Sequence, residues 1–329
     1  EKELINAAWD ESSNQAGWWK REKGQNFFSV FNFMDSHQSR TMTKPWEWYQ
    51  ENILEQLTGE ETKYDEFKVP PIYKEDKEMR KNLSRVYNSI TLTDKKIGQL
   101  LDRLQQEGLM DSTIIFFFAD HGEGIPRGKS SSIGLSYRVP FIIWFPPKLK
   151  HLSPWELGEP TQELISFEDL APTVLSIAGM ESPDYMTGRP LLGKYREEPR
   201  PYVFGARNRI DETPDLARTI TDGRYFYLRV FFPRYPSVSY QKYADVSDIL
   251  KKIRRDYQEG ELNENQSLML EEREVEYLYD LKQDTWELNN LADNPSFKNK
   301  LKEMREELYN HIINNKDILF LPEYEIAQI

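Results

Sequence analysis

Residues 112–119 (STIIFFFA) form an almost unbroken apolar run that ends abruptly in the polar triplet at 120–122. A short apolar run rich in isoleucine and phenylalanine is typical of a buried strand. Residues 27–34 (FFSVFNFM) and 139–145 (VPFIIWF) have the same character and predict two more buried strands. With the helices described next, this order of elements predicts an α/β fold with a mostly parallel sheet and flanking helices.

Two helices are predicted between and after these strands. The first spans 76–107, because its apolar residues recur at steps of three, four or seven and therefore lie on one face: Met79, Leu83, Val86, Ile90, Ile97, Leu101 and Leu104. The second spans 166–178, with Ser166 as its N-cap, Asp169 three positions later and Gly179 as its stop. In the first helix, Asp94 lies beside the apolar stripe and is expected to be a hydrogen-bonded structural carboxylate.

The pattern changes after residue 198, where two prolines mark a join. Beyond it the sequence predicts a small antiparallel sheet with helices: a hairpin over 218–232 that turns at Asp222-Gly223, a strand over 274–281 and an amphipathic helix over 301–313. We therefore expect two domains. Residues 1–198 would be part of a catalytic α/β domain, and residues 199–329 would be a smaller α+β subdomain.

Composition excludes several classes of function. The 329 residues carry a net charge of −12, which argues against a nucleic-acid partner but still allows a small anionic substrate. Without cysteine, the chain contains no disulfide, thiolate metal site or cysteine nucleophile. No apolar run approaches the roughly 20 residues of a membrane span, so no membrane partner is expected. The start of the chain, residues 1–4, has no signal-peptide pattern.

Polar residues at the predicted strand ends are the candidate site. Asp120 offers a hard oxygen and His121 a nitrogen, so the pair could share one divalent cation at a sheet edge where ligands gather. The alternative is an ordinary strand-end turn. His37 follows the first predicted strand, where a satisfied structural histidine is the alternative. Lys129 comes nine residues after Asp120.

Several motifs occur together in an order that resembles the type I sulfatases of the alkaline phosphatase superfamily. They are FFSVFNFMDSHQS, the long helix with Asp94 and Ile97-Gly98, ADHGE, the GK at 128–129 with RVP downstream, SFEDLAPTVLSIAG, GRPLL, and EYLYDL followed by Glu287, Asn290 and Leu291. The resemblance covers essentially the whole chain. It implies an alkaline-phosphatase-like fold and hydrolysis of sulfuric esters or sulfamates on a sulfated carbohydrate, such as a glycosaminoglycan or another sulfated polysaccharide. The short step between Asp120 and Lys129 resembles the N-sulfoglucosamine sulfohydrolase-like bacterial branch.

The resemblance also implies roles for single residues. Asp120 and His121 would ligate a calcium ion (Ca²⁺), while Lys129 and His37 would contact the sulfate and the leaving group. This is consistent with the charge that builds on oxygens during sulfate-ester cleavage. A charged segment would contact sugar hydroxyls or a second anionic group: Arg207, Arg209, Asp211 and Glu212. A solvated loop is the alternative for this segment.

The nucleophile of the family is a formylglycine made from Cys or Ser within C/S-x-P/A-x-R, and this sequence lacks that motif. Ser36 and Arg40 have the right separation, but Gln38 stands where Pro or Ala is needed. The nucleophile and further metal-binding acids are thus expected in an N-terminal part of the same protein, which would be a partner of this segment. Alone, the segment is expected to be inactive and to bind no Ca²⁺ tightly. The resemblance further implies a periplasmic or extracellular location.

Two other functions stay open at this point. The protein could be a phosphonate or phosphate ester hydrolase of the same superfamily. It could also be a degenerate, non-catalytic module that binds anionic glycans.

Overall fold

The structure, a computed structural model, describes Glu3 and residues 7–328. Of residues 1–4, which show no signal-peptide pattern, all but Glu3 therefore lie outside the described residues. The α-helices are α1 (Gln38–Thr41), α2 (Trp46–Tyr49), α3 (Glu55–Leu57), α4 (Lys77–Gln106), α5 (Gly134–Tyr137), α6 (Leu170–Ile177), α7 (Asp248–Gln258), α8 (Glu264–Ser267), α9 (Lys298–Asn314) and α10 (Glu323–Ile326). The strands are β1 (Ile115–Phe118), β2 (Phe141–Trp144), β3 (Val203–Arg207), β4 (Ala217–Thr221), β5 (Tyr225–Val230) and β6 (Glu276–Asp280).

Strands β1 and β2 confirm the centres of two predicted strands, but they run antiparallel. Ile115 pairs with Trp144 and Phe118 with Phe141. The sequence had favoured a mostly parallel sheet, and no parallel pair occurs among the described residues. A parallel pair needs a long crossover, usually a helix. Here the connection holds only the four-residue α5, and the Ala119 amide donates to the Pro140 carbonyl at 3.3 Å, so the connection closes on itself.

The predicted strand over 27–34 is wrong, because these residues form no ladder with another described strand. Burial still alternates with period two, as in an extended chain with one covered face. On the covered side, the Phe31 ring lies 5.5 Å from Trp18 and 5.9 Å from Trp19, measured between centroids. The outward side chains stay exposed: Phe28, Val30 and Met34. The apolar pattern was visible in the sequence, whereas the absence of a neighbouring strand was not.

The long predicted helix is confirmed as α4. It begins after Asp76, whose carboxylate accepts a hydrogen bond from the Met79 amide at 2.9 Å, and it packs against α7. Their shared core combines residues from both sides of position 198: Met79, Leu83, Val86, Ile249 and Ile253. The predicted domain boundary remains a prediction. The role predicted for Asp94 is wrong, since this residue is exposed and its carboxylate pairs with no described residue.

The remaining predicted elements are also confirmed. Helix α6 follows a single 3₁₀ turn and begins with the predicted capping box, in which the Ser166 amide donates to Asp169 at 3.0 Å. Strands β3 to β6 form one antiparallel sheet in sequence order, and Gly223, with a φ of 92°, makes the turn between β4 and β5. Helix α9 covers this sheet. None of the described helices is both long and apolar enough to cross a bilayer.

Candidate functional site

The candidate site is built on the loop between β1 and α5. The Glu123 carbonyl accepts hydrogen bonds from the amides of Ile125, at 2.8 Å, and Lys129, at 2.6 Å, which folds the loop into a compact turn. Glycine is required at 128, because a Cβ atom there would collide with the Glu123 carbonyl oxygen. Gly122 similarly approaches the Leu135 carbonyl too closely for a side chain. The turn therefore fixes the half-buried Lys129 near the end of β1.

Residues on either side of Lys129 have a strained backbone. Arg127 and Ser130 have φ values of 67° and 62°, in the left-handed region that costs other residues than glycine roughly 1 kcal/mol or more. Arg127 is anchored from the C-terminal half, since its Nη2 atom donates to the Glu287 carbonyl at 3.0 Å. The buried Tyr73 hydroxyl donates to the carbonyl of Pro126. These contacts hold the strained loop in place and thereby position Lys129.

His37 lies at the same edge and begins helix α1. Its Nδ1 atom accepts from the Ser39 amide at 3.3 Å, so a neutral ring carries its proton on Nε2 and can donate it to an anion. Burial lowers the pKa of His37, and the positive charges of Lys129 and His121 lower it further, while Asp120 opposes them. These effects on its pKa indicate that His37 lies near the other three predicted residues, Asp120, His121 and Lys129.

Asp120 and His121 are arranged as two potential metal ligands. The His121 Nδ1 atom lies 2.8 Å from the Gly122 carbonyl oxygen, which can only accept. A neutral His121 therefore keeps its lone pair on Nε2, 3.6 Å from an Asp120 carboxylate oxygen. Two donors are fewer than the six to eight that Ca²⁺ takes. Asp120 and His121 could therefore supply two ligands of a metal ion, and its other ligands would have to come from outside the described residues.

A second acidic group lies elsewhere in the described chain. Asp256, Glu259 and Glu261 have carboxylate oxygens close enough to share an ion. However, Lys252 contacts Asp256 at 2.7 Å and Lys74 contacts Glu261, so lysines already neutralise part of the group. This group is remote in sequence from the strand-end residues and was not predicted.

A cavity of about 270 Å³ opens beside the Lys129 loop. Of the predicted site residues, Lys129, Arg207 and Asp211 line it. The other predicted residues do not: His37, Asp120, His121, Arg209 and Glu212. Part of the lining comes from residues 237–244, which lie between β5 and α7 and were not predicted from the sequence. The tyrosines at 240 and 243 were the only signal that could have indicated it.

All four charged residues predicted to bind sugar form ion pairs or hydrogen bonds with other residues of this chain. Buried Arg207 places Nε 3.0 Å from an Asp215 carboxylate oxygen, and exposed Arg209 contacts both carboxylate oxygens of Glu323 at 2.6 and 2.8 Å. Asp211 accepts a hydrogen bond from Gln241, and Glu212 accepts one from the backbone amide of Lys242. Arg207 is thus buried and paired, whereas Arg209, Asp211 and Glu212 are exposed, so the solvated-loop alternative stays open for these three. The role of the segment in substrate binding remains a prediction.

Glu287 is a buried carboxyl group behind the Lys129 loop. Its Oε2 atom accepts a hydrogen bond from the Gly134 amide at 2.9 Å. Burial raises the pKa of Glu287 to about 7, although this hydrogen bond and the charges of Arg127 and Arg138 lower it. The side chain therefore titrates near neutral pH and joins the C-terminal segment to the site.

The Glu287→Gln variant is expected to gain stability over the wild type as the pH rises. Folding raises the pKa of the Glu287 carboxyl group from 4.5 to about 7. The group therefore makes its full contribution to stability below pH 4.5, and this contribution is lost as the pH rises through 7. The difference in unfolding free energy between variant and wild type should grow by about 3 kcal/mol between pH 4.5 and 8. Urea denaturation at several pH values measures it. The exposed control Glu272→Gln should give a flat difference, and an equally flat result for Glu287→Gln would contradict the assignment.

Comparisons with known proteins identify the family of the chain. Residues 6–180 match the Sulfatase family. Over 97% of its length the chain is 35% identical to an ulvan-active sulfatase of Formosa agariphila, covering 57% of that protein. Over 70% of its length it is 25% identical to the N-sulphoglucosamine sulphohydrolase of Homo sapiens, covering 47% of that protein. The chain thus spans about half the length of these relatives.

The fold has a close counterpart among solved structures. The candidate sulfatase yidJ of Bacteroides fragilis superimposes with a TM-score of 0.53 and 21% identity, over 83% of this chain and 50% of that one. This similarity identifies the fold as the alkaline-phosphatase-like α/β fold of the sulfatases, as the sequence predicted.

Proposed function

The chain belongs to the sulfatase family, and we propose that the intact protein hydrolyses sulfuric esters or sulfamates of a sulfated carbohydrate. The proposal is supported by the pair Asp120 and His121, 3.6 Å apart after β1, with Lys129 in the same loop and His37 near enough for all three to affect its pKa. Two relatives are named for glycans, ulvan in one case and N-sulphoglucosamine in the other. Their names support a sugar as the sulfate-bearing group.

In the proposed reaction, water replaces the sugar oxygen or nitrogen on sulfur, and the products are free sulfate and the sugar alcohol or amine. Negative charge builds on the sulfate and on the leaving atom, and fixed donors there lower the barrier. Lys129 supplies a positive charge at a position fixed by its strained loop. The lowered pKa of His37 favours its neutral form, in which Nε2 carries the proton and can donate it to an anion. The nucleophile, a formylglycine in this proposal, would come from an N-terminal part of the same protein.

We further propose that Asp120 and His121 contribute to a Ca²⁺ site. Such a cation acts as a Lewis acid that polarises the sulfate. Addition of Ca²⁺ should raise the melting temperature of the intact protein, because a ligand that binds only the folded state at 100 times its Kd stabilises it by about 2.7 kcal/mol. Asp120→Asn should abolish the rise, whereas Glu259→Gln, in the separate acidic group, should keep it. A rise with Zn²⁺ but not Ca²⁺ would reject calcium and fit the imidazole ligand better.

The test of the overall function is the turnover of nitrophenyl sulfate against nitrophenyl phosphate by the intact protein. Faster cleavage of the sulfate supports the proposal. Faster cleavage of the phosphate identifies the phosphonate or phosphate ester hydrolase that the sequence left open. Retention on a heparin column without hydrolysis of either ester indicates the non-catalytic glycan-binding module.

The N-terminal part of the same protein is also the proposed cover for an exposed apolar surface. Its exposed side chains come from the unpaired segment 27–34 and from β2: Phe28, Val30, Met34, Ile142 and Trp144. Several large apolar side chains left exposed on an extended segment and a strand are typical of surfaces that another segment covers. We also propose a periplasmic or extracellular location, which the family resemblance implies.

A further inference from the structure

Residues 237–244 contribute six residues to the lining of the cavity that Lys129 also lines, and we call this segment the tyrosine wall. The cavity of about 270 Å³ falls below the ~300–1,000 Å³ of most small-molecule pockets. It therefore suits a single sugar ring with its substituents better than several rings. A ring that presents its sulfate to Lys129 would place its other groups against the tyrosine wall.

The backbone of the tyrosine wall is fixed from several directions. Arg207 donates to the Ser237 carbonyl at 2.9 Å, and Thr213 donates to the Tyr240 carbonyl at 2.5 Å. The Lys242 amide donates to Glu212 at 2.7 Å. Two of the charged residues predicted to bind sugar, Arg207 and Glu212, thus hold the wall through its backbone. These three anchors reach the main chain, so none of them occupies the side chains of Gln241 and Tyr243.

Gln241 and Asp211 form a polar pair in the cavity. The Gln241 Nε2 atom donates to Asp211 Oδ2 at 2.6 Å. The amide retains a second N–H and its carbonyl oxygen, and the carboxylate retains further acceptor positions. Asp211 has a φ of 48°, and three of the six non-glycine residues with such left-handed backbone in the described chain line this cavity: Arg127, Ser130 and Asp211. Strain of this kind concentrates at ligand sites.

Tyr243 adds an exposed aromatic ring to the same cavity. An aromatic face beside paired donors and acceptors matches a pyranose ring, which has apolar C–H faces and hydroxyl groups around its edge. We infer that Gln241, Asp211 and Tyr243 form the subsite for the sugar ring that carries the scissile sulfate. This inference rests on the proposed function and adds the residues that recognise the sugar.

The test compares two variants with a matched control from the same wall. Gln241→Ala and Tyr243→Ala remove the proposed contacts. Tyr240→Ala removes a tyrosine that is 64% exposed and lines a separate cavity on the other side of the wall. The ratio of kcat/KM for sulfated ulvan oligosaccharides to kcat/KM for nitrophenyl sulfate should fall about tenfold in each of the two variants. The ratio should not change in Tyr240→Ala, and an unchanged ratio in all three variants overturns the subsite.

A binding measurement separates failure of this inference from failure of the proposed hydrolysis. Calorimetric titration with ulvan oligosaccharides and with a heparin disaccharide needs no turnover. Binding to the wild type that weakens about tenfold in Tyr243→Ala supports the subsite even if no ester is cleaved. Absence of binding to the wild type, or equal binding by wild type and Tyr243→Ala, overturns it even in an active sulfatase.

Discussion

Lys129→Ala is expected to lower kcat/KM of the intact protein for a sulfate ester by about 10²–10³-fold, the usual cost of removing one fixed charge-stabilising donor. Two features of the structure support so large an effect. The ammonium group belongs to a loop in which Arg127 and Ser130 have strained backbone, and the Glu287 carbonyl holds Arg127. Its charge is also close enough to lower the pKa of His37. Because the backbone that carries Lys129 is held in place, the charge needs less reorganisation as the sulfate oxygens become more negative.

Initial rates on nitrophenyl sulfate and on a sulfated oligosaccharide measure this loss. Lys129→Met keeps the aliphatic stem and should lose as much activity as Lys129→Ala, because the charge is the contribution that matters. Lys95→Ala is the matched control, since Lys95 is also half-buried but contacts Glu60 away from the site. Circular dichroism should show an intact fold in all three variants. Activity within a few-fold of wild type in Lys129→Met would remove Lys129 from the proposed mechanism.

The parts of the fold that the sequence predicted well are those with local causes. Helix α4 follows from its apolar stripe, the start of α6 from the capping box at 166–169, and the β4–β5 turn from Gly223. The failures depend on partners distant in sequence. Residues 27–34 have the alternation of a strand, but a ladder requires a neighbour that no local pattern reveals. The direction of β2 depended on how its connection closes, which composition does not encode.

The same distinction between local and distant causes applies to the predictions of site residues. Asp120, His121 and Lys129 were found because a motif at a strand end is readable in one short stretch of sequence. The residues from 207 to 212 were selected for their charge, yet the structure engages them with Asp215, Glu323 and the backbone of the tyrosine wall. Gln241 carries no charge and lies in no motif. Only its place in the lining of the cavity that Lys129 also lines indicates a functional role.

Asp215→Ala is expected to destabilise the protein by about 3–5 kcal/mol, the range for breaking a buried ion pair from one side. The Asp215 carboxylate lies between two buried guanidinium groups. Arg273 contacts it with Nη1 at 3.1 Å and Nη2 at 2.7 Å, and Arg207 places Nε at 3.0 Å. Removing the carboxylate leaves two positive charges in a site with almost no exposed surface and no compensating anion. Burial already lowers the pKa of Arg207, in line with this cost.

Urea denaturation of the intact protein measures the loss. Arg209→Ala is the matched control, because it breaks an exposed pair with Glu323 and should cost at most about 1 kcal/mol. Asp215→Asn should fall between the two, since an amide can still accept from Arg273 but carries no charge. Arg207 and Arg273 also hold the carbonyls of Ser237 and Tyr235, at and beside the tyrosine wall. Asp215→Ala should therefore weaken oligosaccharide binding even where the protein remains folded. If Asp215→Ala proves as stable as Arg209→Ala, the two buried arginines do not need this anion.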